Sequence, residues 1–212
     1  MYHERLIRSS DVAVIVNVKY ITYDFIMKFI PTEIPEVVLI IPDVYEDDRG
    51  YFFETYRDDL IEAHIGRINF IQDNESKSKY GVIRGLHYQL PPYAQSKLVR
   101  VISGEVLDVA LDIRKDSKSY GKYVIKQLSE ENRHQLYIPK GFAHGFAVLS
   151  KEAVACYKVD APYASEYEGG IRYNDPQVDI SWGINIEDVS VSEKDMTAPF
   201  LLDARVFGGV SK

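Results

Sequence analysis

One short stretch of the chain, "YGVIRGLHYQLPPYAQSKLVRV" (residues 80–101), combines strand-like ends with an unusual density of polar groups. Between its apolar ends lie five polar side chains: Arg84, His87, Gln89, Gln95 and Lys97. Polar groups in a buried strand need partners, because an unpaired buried charge or hydrogen-bonding group is costly. The residue types present supply a proton acceptor, a cation for an oxyanion and a cation for a phosphate. The stretch therefore predicts a ligand pocket.

Arg84 and His87 are three residues apart, so on a flat strand their side chains would face opposite sides. Gly85 lies between them and permits a bend or a close backbone approach, which would bring both into one pocket. The alternative is that His87 is a hydrogen-bonded core histidine. Lys97 precedes the apolar "LVRV", and we interpret it as a cation that meets an oxyanion or phosphate. The alternative is a lysine on a solvated strand face.

His144 lies in "PKGFAHGFAVLS", within a turn marked by Pro139 and two glycines. A metal-binding cupin barrel usually offers two histidines separated by one residue and then a carboxylate. Here a single histidine is followed by Gly145, so no metal site is predicted. Cys156, the one cysteine, lies in the apolar run "AVACY". We predict a small core residue rather than a nucleophile, because no activating base is adjacent.

Three further segments carry polar residues that are weak signals when taken singly. "DDRGYFFETY" has Arg49 and Glu54 on either side of an aromatic run. "IQDN" contains three polar residues in succession: Gln72, Asp73 and Asn74. "YKVDAPYASEYEGGIRYNDP" contains Tyr157, Tyr163 and Glu168. Tyrosines in such places more often pack or lie on the surface than act as acids or stacking platforms.

Many short strands separated by turn signals would position these residues. "EVLDVALDIR" alternates two sets of side chains, and this is the period of a half-buried strand. Residues 57–66, "RDDLIEAHIG", predict a short helix that begins at two aspartates and stops at Gly66. Strands at roughly ten-residue spacing favour a β-sandwich or barrel, with a jelly roll as the natural candidate. The other predicted strands are "EVVLIIPDV", "GYFFETYR", "INFIQDN", "GVIRGLHYQ", "KLVRVISG", "GKYVIKQLS", "HQLYIPKG", "FAHGFAVLS" and "EAVACYKV".

Composition sets limits on the class of protein. The 212 residues suit one domain, and 46% hydrophobic and 27% charged residues are ordinary for a globular chain. The net charge of −7 argues against general nucleic-acid binding but leaves room for a local basic cluster. No apolar run approaches the ~20 residues of a membrane span. A single cysteine excludes an internal disulfide and fits a reducing cytoplasm.

The first 26 residues differ in character from the rest of the chain. Their apolar run is broken by Asn17 and Lys19, and no small-residue cleavage site comes after it, so a secretory signal is not predicted. We interpret residues 1–26 as an N-terminal extension of unknown role and residues 27–212 as a single domain. Met27 would then be the natural start, and the alternative is that "VAVIVNVKYITY" forms an extra edge strand.

Taken together, the segments resemble the dTDP-4-dehydrorhamnose 3,5-epimerase family. "DRGYFFE", "RGLHYQ", "AQSKLVRV", "IPKGFAHGF", "YKVDAPYASEYEGGIRYNDP" and "SEKD" occur in the family's order, over roughly residues 27–203. The resemblance implies a mainly β, cupin-like jelly-roll β-barrel with a few short helices. It also implies a homodimer that exchanges N-terminal strands and works without metal or organic cofactor. Tyr173 stands where the family commonly has tryptophan.

The resemblance also implies roles for individual residues. His87 would be the general base, Asp195 its carboxylate partner, Lys97 the cation that stabilises an enolate, and Tyr157 the general acid on the opposite face. Arg49 would come from the partner subunit, and Tyr163 would stack on the thymine. The substrate-binding positions are then Arg49, Glu54, Gln72, Asp73, Asn74, Arg84, Gln89, His144, Tyr163, Glu168 and Lys194.

The implied substrate, dTDP-4-keto-6-deoxy-D-glucose, has acidic hydrogens on C3 and C5 because both carbons are α to the C4 carbonyl. Proton removal gives an enolate, which a lysine stabilises, and inversion needs a proton from the other face. The product would be dTDP-4-keto-L-rhamnose, on the way to dTDP-L-rhamnose. The alternatives are an epimerase of C3 alone or C5 alone, a nucleotide-sugar-binding protein without turnover, and a metal-dependent cupin oxygenase.

Overall fold

Short β-branched and aromatic runs form thirteen strands over residues 27–208, the part of the chain that the computed structural model describes. The predicted extension at residues 1–26 lies outside this part. The first seven strands are β1 (Lys28–Pro31), β2 (Val38–Ile41), β3 (Tyr45–Asp47), β4 (Gly50–Phe52), β5 (Gln72–Lys79), β6 (Ile83–Gln89) and β7 (Lys97–Ser103). The others are β8 (Glu105–Asp112), β9 (Tyr123–Ser129), β10 (Gln135–Ile138), β11 (Phe142–Val148), β12 (Glu152–Val159) and β13 (Glu168–Gly170).

Two antiparallel sheets face each other and enclose the main core. One has six strands in the order β1-β2-β10-β7-β12-β5, and the other has five in the order β13-β6-β11-β8-β9. Their inner faces supply a continuous apolar cluster that includes Val99, Leu136, Ala155, Val106 and Phe146. Alternation along each strand sends every second side chain into this space. The predicted mainly β, cupin-like jelly roll with short helices is therefore confirmed.

The outer face of the five-stranded sheet is covered as well. Ile171, Trp182 and Leu201, from the segment C-terminal to β13, pack against Val109 and Leu111 of β8. The prediction that β8 is half-buried was therefore wrong, because residues far along the chain cover its second face. Asp108 and Asp112 of this strand are both fully buried.

Two short α-helices complete the frame. The predicted helix at residues 57–66 is confirmed as α1 (Asp58–His64), which buries Ile61 against the outer face of the six-stranded sheet. The chain leaves this helix through Gly66, whose φ is +122°. The second helix, α2 (Glu193–Met196), begins at the cap residue Ser192, whose hydroxyl accepts a hydrogen bond from the Asp195 amide. Single 3₁₀ turns occur at Ser165–Tyr167 and Ile186–Asp188.

The structure corrects two further predictions. A strand was predicted at residues 68–74, whereas β5 spans Gln72–Lys79, a sequence without apolar alternation. Cys156 is half-buried on the outer face of β12 rather than in the core, since Ala153, Ala155 and Tyr157 take the inward positions. No helix among the described residues is both long and apolar enough to span a membrane.

Candidate active site

Polar side chains on the inner faces of both sheets interrupt the apolar core at one place. His87 of β6 lies opposite His144 of β11 in the ladder, and Arg84 lies opposite Phe146. From the facing sheet come Lys97, the first residue of β7, and Tyr157 of β12. The structure thus brings Arg84, His87 and Lys97 of the 80–101 stretch together with His144 and Tyr157, whereas the amides of Gln89 and Gln95 bond to backbone groups.

Gly85 explains how Arg84 and His87 share one side of the strand. Its φ is +111°, and the pairing of β6 with β11 shifts register between His144 and Phe146. A Cβ at this position would lie 2.6 Å from the His144 carbonyl oxygen, so a larger residue does not fit. The predicted bend at Gly85 is confirmed. Arg84 then reaches Ser78 of β5, whose hydroxyl accepts from Arg84 Nε at 2.8 Å.

His87 and Asp195 form a close pair although they are far apart in the sequence. Nε2 of His87 lies 2.5 Å from Oδ1 of Asp195, and the Gly85 amide donates to Oδ2 at 3.3 Å. Burial opposes ionisation of Asp195, but the hydrogen bonds from His87 and from backbone and cap groups lower its pKa. The carboxylate therefore holds the proton on Nε2, which leaves Nδ1 to accept a proton from a ligand.

Lys97 is buried beside a second histidine–aspartate pair. Its Nζ lies 3.5 Å from His144 Nδ1, and His144 Nε2 lies 2.8 Å from Asp108 Oδ1. Burial lowers the pKa of Lys97 to about 8, although the charges of Asp108 and Glu168 act in the opposite direction. Burial also lowers the pKa of His144, so its neutral imidazole donates to Asp108 and accepts from the ammonium.

Asp108 is a functional candidate that the sequence prediction missed. Its side chain is fully buried, and its Oδ2 has no hydrogen-bond partner among the described residues. The sequence did contain one indication of its position: Asp108 alternates with Val106 and Ala110, and both of these lie in the core between the sheets. Its carboxylate lies where it stabilises the charged form of Lys97.

Tyr157 lies across the cavity from His87, on the facing sheet. Lys97 Nζ is 5.8 Å from the centre of its ring, and the His144 ring is 6.4 Å away. Burial raises the pKa of Tyr157, with Arg84 acting in the opposite direction, so the phenol stays protonated at neutral pH. The cavity thus has a proton acceptor on one wall and a proton donor on the other.

The rim beside His87 carries three predicted residues in one cluster. Tyr163 Oη donates to Glu168 Oε2 at 2.8 Å, and Lys194 Nζ lies 2.6 Å from the same oxygen. Burial opposes ionisation of Glu168, but the hydrogen bonds from Lys194 and Tyr163 lower its pKa. The Tyr163 side chain remains 60% exposed, so its ring is available to a ligand.

Polar residues of β5 divide between its two faces. Gln72 donates to Asn74 at 2.8 Å, and Asn74 lies next to Tyr157 in the ladder. Asp73 points to the other side, where its carboxylate binds Lys158 at 2.8 Å. Asp73 thus faces away from this cavity, because side chains alternate along a strand, and its contact with a ligand stays a prediction.

The remaining predicted residues lie outside the cavity of this chain. Arg49 is on the exposed β3–β4 hairpin, where it pairs with Asp47. Glu54 Oε2 is buried and lies 3.6 Å from Arg57 Nη1. Gln89 is buried, and backbone groups use both its amide nitrogen and its oxygen. Ligand contact by Gln89 stays a prediction, although backbone groups already bond to its amide. Among residues 27–208, no cluster of three or more His, Cys, Asp and Glu side chains is placed to hold a metal ion.

Comparison with known proteins gives consistent matches over this region. The family model for dTDP-4-dehydrorhamnose 3,5-epimerase matches residues 31–203. A dTDP-4-dehydrorhamnose 3,5-epimerase of Shigella flexneri is 49% identical over 182 residues, which are 85% of this chain and 99% of that protein. A crystal structure of the enzyme of that name from Elizabethkingia anophelis superimposes with a TM-score of 0.81 at 47% identity, covering 84% of this chain and 97% of that one.

A second solved structure carries a ligand. The dTDP-6-deoxy-D-glucose-3,5-epimerase from Legionella pneumophila, in complex with dTDP-4-keto-L-rhamnose, has a TM-score of 0.81 and 47% identity. The match covers 84% of this chain and 94% of the Legionella chain.

Proposed function

The chain belongs to the dTDP-4-dehydrorhamnose 3,5-epimerase family, and on this premise we propose how its cavity performs the reaction. It is an isomerase of dTDP-rhamnose biosynthesis that epimerises C3 and C5 of dTDP-4-keto-6-deoxy-D-glucose. The observation that carries the mechanism is that His87 and Tyr157 lie on facing sheets, with Lys97 buried beside them. This arrangement suits removal of a proton from one face of a sugar and its return from the other.

His87 is the general base. Asp195 fixes its tautomer and stabilises the imidazolium that forms when Nδ1 takes the proton from C5 or C3. The electron pair of the broken C–H bond moves into the C4 carbonyl and gives an enolate. A carboxylate whose own pKa is lowered stays ionised throughout this step.

Lys97 stabilises the negative charge on the C4 oxygen. Its ammonium is desolvated, and such a cation interacts with a developing charge more strongly than a solvated one does. His144 and Asp108 hold it by a hydrogen bond and an opposite charge. The same enolate chemistry serves both carbons, since each is α to C4.

Tyr157 delivers a proton to the opposite face of the enolate carbon. Its raised pKa keeps the phenol protonated before the step, and the phenolate formed is near the ammonium of Lys97. Reprotonation by Tyr157 inverts the carbon, whereas return of the proton from His87 regenerates the starting configuration. The reaction needs no change of oxidation state.

The nucleotide half of the substrate binds at the rim. Tyr163 stacks on the thymine, Lys194 and Arg84 face the phosphates, and Gln72 and Asn74 line the wall next to Tyr157. Arg49 reaches the site from a second copy in a homodimer that exchanges N-terminal strands. The exposed hairpin supports this assignment, because Tyr51 and Phe52 are 60% and 61% exposed in one chain. The single cysteine supports a cytoplasmic location.

Proton NMR of dTDP-4-keto-6-deoxy-D-glucose in D₂O tests this function. Loss of both the C3 and C5 proton signals, abolished by His87→Asn, is the expected result. Loss of one signal alone would make the protein a single-site epimerase. Exchange at neither carbon, with dTDP still bound, would make it a nucleotide-sugar-binding protein.

A further inference from the structure

Gln89 ends β6, two residues beyond His87, and its side chain is only 4% exposed. Its Nε2 donates to the Tyr93 carbonyl at 2.7 Å and to the Pro162 carbonyl at 3.0 Å. Its Oε1 accepts from the Ala164 amide at 2.6 Å. Both amide protons and the oxygen are thus used by backbone groups.

Two of these backbone groups flank Tyr163. The Pro162 carbonyl precedes it and the Ala164 amide comes after it, so one side chain fixes the backbone on both sides of this residue. The Tyr163 ring itself is 60% exposed, and its hydroxyl bonds only to the rim carboxylate Glu168 in the described contacts. Packing therefore contributes little to holding the ring, which leaves the hydrogen bond to Glu168 and the position of the backbone to do so.

The third bond extends the effect to the neighbouring loop. Tyr93 belongs to the segment between β6 and β7, and its ring lies 4.9 Å from that of Tyr167. The Leu90 amide donates to the Tyr167 carbonyl at 2.8 Å. Gln89 thus connects both rim segments to the strand that carries His87.

We propose that Gln89 is a positioning residue for nucleotide binding, which acts by holding Tyr163 in place for the base. This inference rests on the proposed function, in which Tyr163 stacks on thymine. A loop held before the ligand arrives does not lose that freedom on binding, so affinity rises. Because backbone groups use the whole Gln89 amide, its loss should change KM rather than kcat.

Gln89→Leu keeps the volume and removes all three hydrogen bonds. We expect KM for the substrate and Kd for dTDP to rise about tenfold, the size of one weakened base–aromatic stack, while kcat at saturation stays within about twofold. Hydrogen exchange of the peptide 160–168 should accelerate, because the Ala164 amide loses its acceptor. Gln127→Leu, at an exposed glutamine of β9, is the matched control and should change none of these values.

A double-mutant cycle separates positioning from general loosening. In a Tyr163→Ala background, Gln89→Leu should raise KM less than twofold, because the ring through which it acts is gone. Gln89→Met, which also removes the three hydrogen bonds but keeps a flexible, uncharged side chain of similar length, provides a second variant if the leucine protein does not fold.

Multiplicative effects of Gln89→Leu and Tyr163→Ala, or a fall in kcat with KM unchanged, would overturn the proposal. If the wild-type protein shows no turnover, the proposed function fails by itself. The exchange of peptide 160–168 and the Kd for dTDP then still decide the role of Gln89: faster exchange with weaker binding supports it, and no change in either overturns it.

Discussion

Nζ of Lys97 lies 3.5 Å from Nδ1 of His144, and both side chains are buried in the cavity between the two sheets. A neutral imidazole that accepts from the ammonium and donates to Asp108 orients the lysine without competing for its proton. Burial of the charged lysine also lowers the free energy of unfolding. The cavity therefore contains a desolvated cation at a cost in stability.

Lys97→Met should separate these two effects. We expect kcat to fall about 10²–10³-fold, since one electrostatic donor to the enolate is lost. The free energy of unfolding at pH 7 should rise by roughly 3 kcal/mol, because the folded-state pKa is about 8 instead of 10.5. The charge penalty is full below pH 8 and disappears as the pH approaches 10.5, so the gain should shrink over that window. Urea unfolding at pH 7 and pH 10 measures it, with the exposed Lys122→Met as the control.

On the proposed mechanism, the same lysine should set the pH profile of the wild-type enzyme. As pH rises through about 8, Lys97 loses its proton and the enolate loses its counter-charge. We expect kcat/KM, which reports the ligand-free enzyme, to fall about tenfold per pH unit above this value. Initial rates between pH 6 and pH 10 give the profile. A constant kcat/KM up to pH 10 would contradict a charged Lys97 as the stabilising group.

Tyr157→Phe should preserve exchange of the C3 and C5 hydrogens with solvent but prevent inversion of these carbons. His87 still removes the proton and returns deuterium to the same face, so C3 and C5 signals should still be lost in D₂O. Formation of the inverted sugar should fall about 10²–10⁴-fold, because the donor on the far wall is missing. Proton NMR for exchange and a coupled reductase assay for product provide the two readouts. If exchange and product formation fall by the same factor, Tyr157 takes part in proton removal as well.

Gly85→Ala tests the bend that aligns Arg84 with His87. We expect a loss of at least about 3 kcal/mol in the free energy of unfolding, because left-handed strain adds to a clash of the new Cβ with backbone. Gly66→Ala is the control: its φ is +122°, but a Cβ there meets nothing within 4 Å. The control should lose only about 1–2 kcal/mol. Equal losses in chemical denaturation would show that the space around Gly85 is not tight.

Mixing two variants, each expected to be inactive alone, tests whether Arg49 completes the active site of the partner subunit. Arg49→Ala and His87→Asn each lack one component, and a mixed dimer would contain one site with both defects and one intact site. After unfolding and refolding together in equal amounts, we expect about a quarter of wild-type activity. No recovery, with mixed dimers present by mass spectrometry, would place Arg49 in the site of its own chain.

The helix α1 and the central strands were predictable from local patterns, whereas the misplaced elements depended on distant contacts. The strand β5 was predicted too early because "QDNESKSK" has no apolar face: one side lines the polar cavity and the other meets solvent. The strand β8 was predicted half-buried because its covering residues, such as Trp182 and Leu201, come from far along the chain.

For the site, residue type alone indicated His87 and Lys97 as candidates, but their assembly required the fold. Asp195 was identified only through the family resemblance, since 108 positions separate it from its partner. Asp108 was overlooked because an alternating aspartate in a strand is usually a solvent-facing residue. The bonds of the Gln89 amide to backbone groups became visible only in the structure, because residue type and position do not show whether a glutamine amide meets a ligand or backbone.

On the proposed mechanism, the order of strands in the two sheets separates the catalytic residues from those that bind the substrate. His87, Lys97 and Tyr157 lie on strands that have neighbours on both sides, whereas Gln72, Asn74 and Glu168 lie on the edge strands β5 and β13. An edge strand has one neighbour, so a substitution there disturbs few other contacts. Descendants of such a chain can therefore acquire new sugar or nucleotide preferences by changes at the edges, while the acid, the base and the barrel that holds them are inherited intact.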